Sequence, residues 1–146
     1  MRKKYDPWGL SLAFDPFLPL SVEPDLQVCR YTTFCAKFQL EYAEFLRAVS
    51  SDGFTLRRGR QYIILYNDAS YIPEARKRFT LAHELGHYVL RHTHDGAAEE
   101  DEAYCFARNL LAPRRLALEH GIDYADYPRV FGISHAAARM CASLDK

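Results

Sequence analysis

Three polar residues interrupt one long apolar run, Phe79-Thr80-Leu81-Ala82-His83-Glu84-Leu85-Gly86-His87-Tyr88-Val89-Leu90. The run contains no proline, and its length predicts a helix, in which residues four apart share a face. His83 and His87 then stand one above the other, and two imidazoles pointing the same way can take two corners of a zinc tetrahedron. Glu84, beside the first histidine, can reach the metal's surroundings as a base without being a ligand, as in the HExxH pattern of zinc hydrolases. The competing reading is a pair of core histidines that only hydrogen-bond. Gly86 weighs against it, since a glycine inside a helix costs about 1 kcal/mol against alanine and implies a close approach there.

A third ligand is sought downstream. His92-Thr93-His94-Asp95-Gly96 reads as a polar loop closing the helix, and His92 or His94 is one source. The next helix, from about Ala97, is the other. Its first turn carries Glu99-Glu100-Asp101-Glu102, where the positive end of the helix dipole favours acids in any case. Ala103, Phe106, Ala107, Leu110 and Leu111 set its inward face. At about 100° per residue, Glu99 and Glu100 extend that face, Asp101 points away and Glu102 lies at its side. An inward carboxylate is costly unless something positive meets it, and a metal held by His83 and His87 would. Two histidines and one glutamate leave a fourth position open, the form of a catalytic site.

The elements that must position these groups follow the same patterns. Residues 1–34 are proline-rich and apolar without a sustained period and read as an extended arm, with Trp8, Phe14, Phe17 and Leu18 capping a core edge; Val28 to Phe34 is a possible short strand. Ala36 to Ser50 is amphipathic at helical spacing. Phe54 to Arg57 and Gln61 to Tyr66 predict a hairpin turning at Arg58-Gly59-Arg60, with the second strand apolar on both faces and hence central. Pro73 opens the histidine helix from its first turn. Arg114 to His120 predicts a short helix, and Tyr124–Phe131 with Ser134–Leu144 a last pair with Ser134 as N-cap. The turn between them resembles a helix-turn-helix, but His135 to Met140 is poor in base-reading side chains, so packing is the expected role.

The 146 residues fit one domain, and 49% hydrophobic composition supports one core. Nineteen basic residues balance nineteen acidic ones, which gives no global field for nucleic acid. No run approaches the roughly 18 apolar residues of a membrane span, and Asp6-Pro7 follows the basic start too soon for a signal peptide, so a soluble cytoplasmic protein is expected. Cys29, Cys35, Cys105 and Cys141 lack paired CxxC spacing and read as free thiols, mostly buried.

Arg78-Phe79-Thr80-Leu81-Ala82-His83-Glu84-Leu85-Gly86-His87, followed by Glu100-x-x-Ala103-x-x-Phe106-Ala107-x-x-Leu110-Leu111-x-Pro113, strongly resembles the ImmA/IrrE family of zinc metallopeptidases. The similarity runs from about Gly53 through Met140, with Ile64-x-Tyr66-Asn67 and Phe131-Gly132-Ile133-Ser134 as supporting flanks. The resemblance implies an α+β, mainly helical, zincin-like domain with a small sheet beside the HExxH helix. It also implies a zinc ion on His83, His87 and Glu100, and Glu84 as general base. The implied activity is cytoplasmic cleavage of a cognate helix-turn-helix repressor, with no direct nucleic-acid contact and no membrane. A zinc-binding anti-repressor or interaction module without proteolysis is the alternative. Two departures stand out. Tyr104 occupies a position where the family usually has an asparagine suited to contact a ligand histidine, and the region before about Gly53 is unlike the usual start, with no separate DNA-binding domain. An oxyanion donor is expected from Tyr71, Tyr104, His92 or His120, and an extended substrate is expected along an exposed edge of the sheet.

Overall fold

Ile64 and Leu65 are wholly buried because the strand that carries them, β3, is the middle of three. The computed structural model describes residues 1–5 and 13–144. The helices α1 (Arg2–Tyr5) and α2 (Phe17–Val22) precede strand β1 (Leu26–Arg30), which leads straight into α3 (Tyr31–Phe38) and then α4 (Tyr42–Ala48). The hairpin of β2 (Gly53–Arg58) and β3 (Gln61–Tyr66) follows. Next come α5 (Glu74–Val89), α6 (Ala97–Leu111), α7 (Arg114–Glu119), a 3-10 turn at Tyr124–Asp126, α8 (Tyr127–Phe131) and α9 (His135–Leu144). The fold is α+β and mainly helical, with a mixed sheet in the order β1-β3-β2: β1 parallel and β2 antiparallel to β3.

The hairpin closes as expected, Arg58 pairing with Gln61 and Gly59 taking φ +61°. Pro73 stands one position earlier than expected, as the N-cap of α5. Three further expectations need correction. The described part of residues 1–34 is not one extended arm, because Leu26–Arg30 pairs in register with Tyr62–Tyr66 and supplies an edge of the sheet. Phe14 joins the core, Phe17 is 40% exposed with its ring 6.1 Å from Tyr66, and Trp8 and the Leu18 side chain lie outside the described residues. The strand expected at Val28–Phe34 is shifted, since the chain turns helical at Tyr31.

The helix expected over Ala36–Ser50 is two helices. Gln39 is left-handed at φ 54°, with Leu40 N–H donating to Cys35 O at 2.9 Å, a Schellman-type stop. Glu41 then caps α4, its carboxylate accepting from the backbone N–H of Ala43 and Glu44. The break folds the aromatic rings together: Tyr31 and Phe45 meet edge to face at 5.0 Å, and Phe54 of β2 joins them.

α5 lies between the sheet and α6, with Leu81, Ala82 and Leu85 fully buried. Gly86 is where α6 comes closest: a Cβ there would lie 3.1 Å from both Ala103 Cα and Phe106 Cδ1. The missing side chain therefore sets the spacing of α5 and α6, the two helices that carry the candidate ligands. Ala137 N–H donates to Ser134 Oγ at 3.0 Å, the expected cap of α9. All four cysteines are free; Cys35 and Cys141 are buried, Cys105 exposed.

Candidate metal centre

One turn of α5 separates His83 from His87, and both turn Nε2 toward the start of α6. The two nitrogens are 3.3 Å apart. Glu100 meets them with one oxygen each, Oε2 at 3.0 Å from His83 and Oε1 at 3.2 Å from His87. The donor atoms all lie within 4.8 Å of one another, and this is the one such group found among the described residues. Two imidazole nitrogens and a carboxylate converging on one point form the donor set of an open zinc site, and they fit that ion.

The four acids of the α6 start separate cleanly. Glu100 joins the histidines; Glu99 pairs instead with His94 at 2.9 Å, and Glu102 with His92 at 2.9 Å, while Asp101 is exposed. Neither loop histidine belongs to the converging group.

His92 has another place. Its Nδ1 lies 2.9 Å from Nδ1 of His87, and its Nε2 faces Glu102. With the carboxylate as acceptor, the network assigns the protons: His92 Nε2–H donates to Glu102, and His87 Nδ1–H donates to His92 Nδ1. His87 Nε2 is left as a lone pair facing His83 and Glu100. Burial lowers the His87 pKa and so favours the neutral, metal-binding ring, against an opposing pull from Glu100. The backbone brings His92 back by a Schellman motif: Arg91 is left-handed at φ 56°, Arg91 N–H donates to Tyr88 O, and His92 N–H to His87 O. Glycine usually announces that turn, and here Arg91 occupies it, so His92 looked like a loop residue of no fixed phase.

Glu84 is buried on the opposite side of the histidine ridge, facing β2. Thr55 Oγ1 donates to its Oε2 at 2.6 Å. Burial pushes the Glu84 carboxyl up to about 7, with the Thr55 bond opposing and the charges of Glu100 and Asp95 adding. Thr55 was not among the expected residues; the signal for it is strand alternation, which puts Gly53, Thr55 and Arg57 on one face of β2. A cavity of about 440 Å³ opens here, lined by Thr55, Phe79, His83, Glu84, Glu100 and Tyr104 among others.

The expected oxyanion donors lie elsewhere or are engaged. Tyr71 is 73% exposed, and neither it nor His120 lines the cleft, while His92 is held by His87 and Glu102. Tyr104 lines it with its ring, against Phe79 at 5.2 Å. Burial pushes its phenol up, the Cys141 charge adds to the shift and Arg108 opposes it. No hydrogen bond links it to either histidine among the described residues, so His92 and Glu102 are what orient His87.

Among the described residues no helix is long and apolar enough to cross a membrane. No curated protein and no solved structure matches the chain. The model of the IrrE N-terminal-like domain, the M78 peptidases, matches residues 32–142, a span containing β2, β3, α5 and α6 entire. The chain therefore belongs to the IrrE N-terminal-like family of metallopeptidases.

Proposed function

We propose that this protein is a zinc-dependent endopeptidase, with His83, His87 and Glu100 as ligands and Glu84 as general base. The observation that carries the reading is the convergence of the three donors at the mouth of a cleft in which Glu84 is a buried carboxyl tuned to about 7. A base poised near neutral pH can accept a proton and return it within one cycle. Zinc, when bound by these ligands, would acidify water and polarise the scissile carbonyl. Glu84 takes the proton of the attacking water and delivers it to the leaving nitrogen. Thr55 holds Oε2, which leaves Oε1 to handle that proton.

The sheet supports a place for the substrate. β2 pairs with β3 alone among the described residues, so alternate N–H and C=O groups of its outer edge are unpaired. Gly53, Phe54 and Thr55 line the cleft, and an extended peptide added to that edge passes the metal group. The family resemblance makes a helix-turn-helix repressor in the cytoplasm the proposed substrate. The test is to incubate the zinc-loaded protein with the repressor encoded beside it. Wild type should cut it and Glu84→Gln should not, with zinc content equal in both; equal cutting by the two forms removes the mechanism.

A further inference from the structure

The cleft does not end at the metal group. β2 and α5 descend side by side: a Cβ on Gly53 would lie 2.7 Å from Thr80 Cγ2, and Thr55 reaches Glu84. One step further, Arg57 of β2 and Arg91 at the end of α5 both stand 5.7 Å from the Tyr62 ring centroid. The cavity beside the metal group shares Thr55, His87 and Asp95 with a second one of about 200 Å³. That one shares Arg57 and Tyr62 with a third of about 360 Å³, lined by Asp25, Arg57, Gly59, Arg60, Tyr62 and Arg91. A trough thus follows β2 from His87 to a group of arginines.

Two of the arginines are placed rather than loose. Arg91 lies 4.6 Å over the Tyr88 ring, and Tyr88 meets Tyr62 edge to face at 5.3 Å, so the two aromatic rings form a platform. Arg57 Nε donates to Gly59 O across the turn, which leaves its terminal nitrogens open. Among the described residues no carboxylate forms an ion pair with Arg57, Arg60 or Arg91. Three guanidiniums against the single Asp25 leave the cavity net positive, and like charges sharing one ring are relieved by an anion between them. Planar guanidinium forks match a carboxylate with two parallel hydrogen bonds.

We propose that Arg57, Arg60 and Arg91 form a subsite for an aspartate or glutamate side chain of an extended peptide substrate. The chemistry stands on the cavity; its register rests on the peptidase reading above. Arg57 lies two residues past Thr55, about 7 Å at the rise of a strand. A peptide laid along β2 therefore presents to the arginines a side chain about two to four residues from the bond that is cut.

The probes are a fluorescein-labelled decapeptide of alanine and serine carrying two glutamates, and its twin with two glutamines. Binding is read by anisotropy on the zinc-free Glu84→Gln protein, which leaves peptide intact. The glutamate peptide should bind about tenfold more tightly at low salt, the size of one charge-assisted contact, and less so as salt rises. The preference should vanish in the double variant Arg57→Gln, Arg60→Gln. It should also fall in Arg91→Gly, which keeps the left-handed turn and removes the side chain that carries the guanidinium. Thermal melting of each variant checks that it is folded. No preference for glutamate, or a preference that survives in these variants, overturns the proposal. So does tighter arginine-dependent binding of a ten-nucleotide thymidine strand, which would make the occupant nucleic acid. Zinc-loaded wild type given a random peptide mixture separates the two readings. Cuts with acids enriched two to four residues away support both, and cuts with no such enrichment overturn the subsite alone. An acid preference in binding without any cutting supports the subsite and overturns the peptidase.

Discussion

Replacing Glu84 by glutamine should stabilise the zinc-free protein, and only toward alkaline pH. The carboxyl is 8% exposed, and burial lifts it from the ordinary 4.5 to about 7 in the folded chain. Between those two values the folded state keeps a proton that the unfolded chain has released. Stability from this group is therefore intact below about 4.5, falls as pH rises through the window, and stays lost above about 7. The gap, about 7 less 4.5, corresponds to about 3 kcal/mol at 1.36 kcal/mol per unit. Glutamine keeps the shape and an oxygen for Thr55 but does not titrate. The two proteins should thus be close in stability near pH 4 and differ by about 3 kcal/mol near pH 8, with glutamine the more stable. His87 pulls the other way, since burial lowers its pKa and costs stability in acid; the Glu84 charge is not among the causes of that shift, so it cancels in the difference. Urea unfolding of both proteins in a chelator at the two pH values measures this directly. Parallel pH dependence would refute the burial argument. Saturating zinc should close the alkaline gap, because a dication beside the site favours the ionised carboxylate.

Other perturbations separate roles that the geometry assigns. Glu100→Gln should abolish tight zinc binding while Glu99→Gln, which touches only His94, leaves it within about threefold; competition against a chromophoric chelator reads both. His92→Ala and Glu102→Gln should each weaken zinc about 10- to 100-fold by releasing the His87 ring, and unchanged affinity would show that the ring is held by packing alone. Gly86→Ala should destabilise the fold by about 1–2 kcal/mol despite the better helix propensity, because its Cβ meets the α6 backbone at Ala103; a raised melting temperature would contradict this.

How much of this could be read from the residues depended on whether a local pattern or a long-range closure was at stake. His83, Glu84 and His87 were legible because helical spacing alone puts the two imidazoles on one face, and β3 was legible as central because Tyr62 to Tyr66 is apolar on both sides. Helical phase left Glu100 as one of two inward acids, and the family resemblance chose it; Glu99 is taken by His94, a pairing that depends on where the loop comes back, and helical phase does not contain that. The early chain was misread for a related reason: a short strand was legible near Val28–Phe34 but its bounds and its partner were not, because Leu26–Arg30 is a strand where the open edge of β3 accepts it in parallel. The same logic explains the surroundings of the metal group. Tyr104 occupies the position from which the family resemblance expects a contact to a ligand histidine, yet the hydrogen bonds of His83 and His87 among the described residues go to Glu100, to His92 and to each other. Orientation of His87 has passed to the other side of the ring, where the left-handed Arg91 turn delivers His92 and α6 supplies Glu102. A non-glycine residue at such a turn costs on the order of 1 kcal/mol and persists only where its surroundings hold it. Here Arg91 has two uses that glycine would halve: its backbone brings His92 to His87, and its guanidinium, stacked on Tyr88, closes the far end of the trough. One strained residue thus couples the positioning of a candidate metal ligand to the chemistry of the proposed substrate subsite.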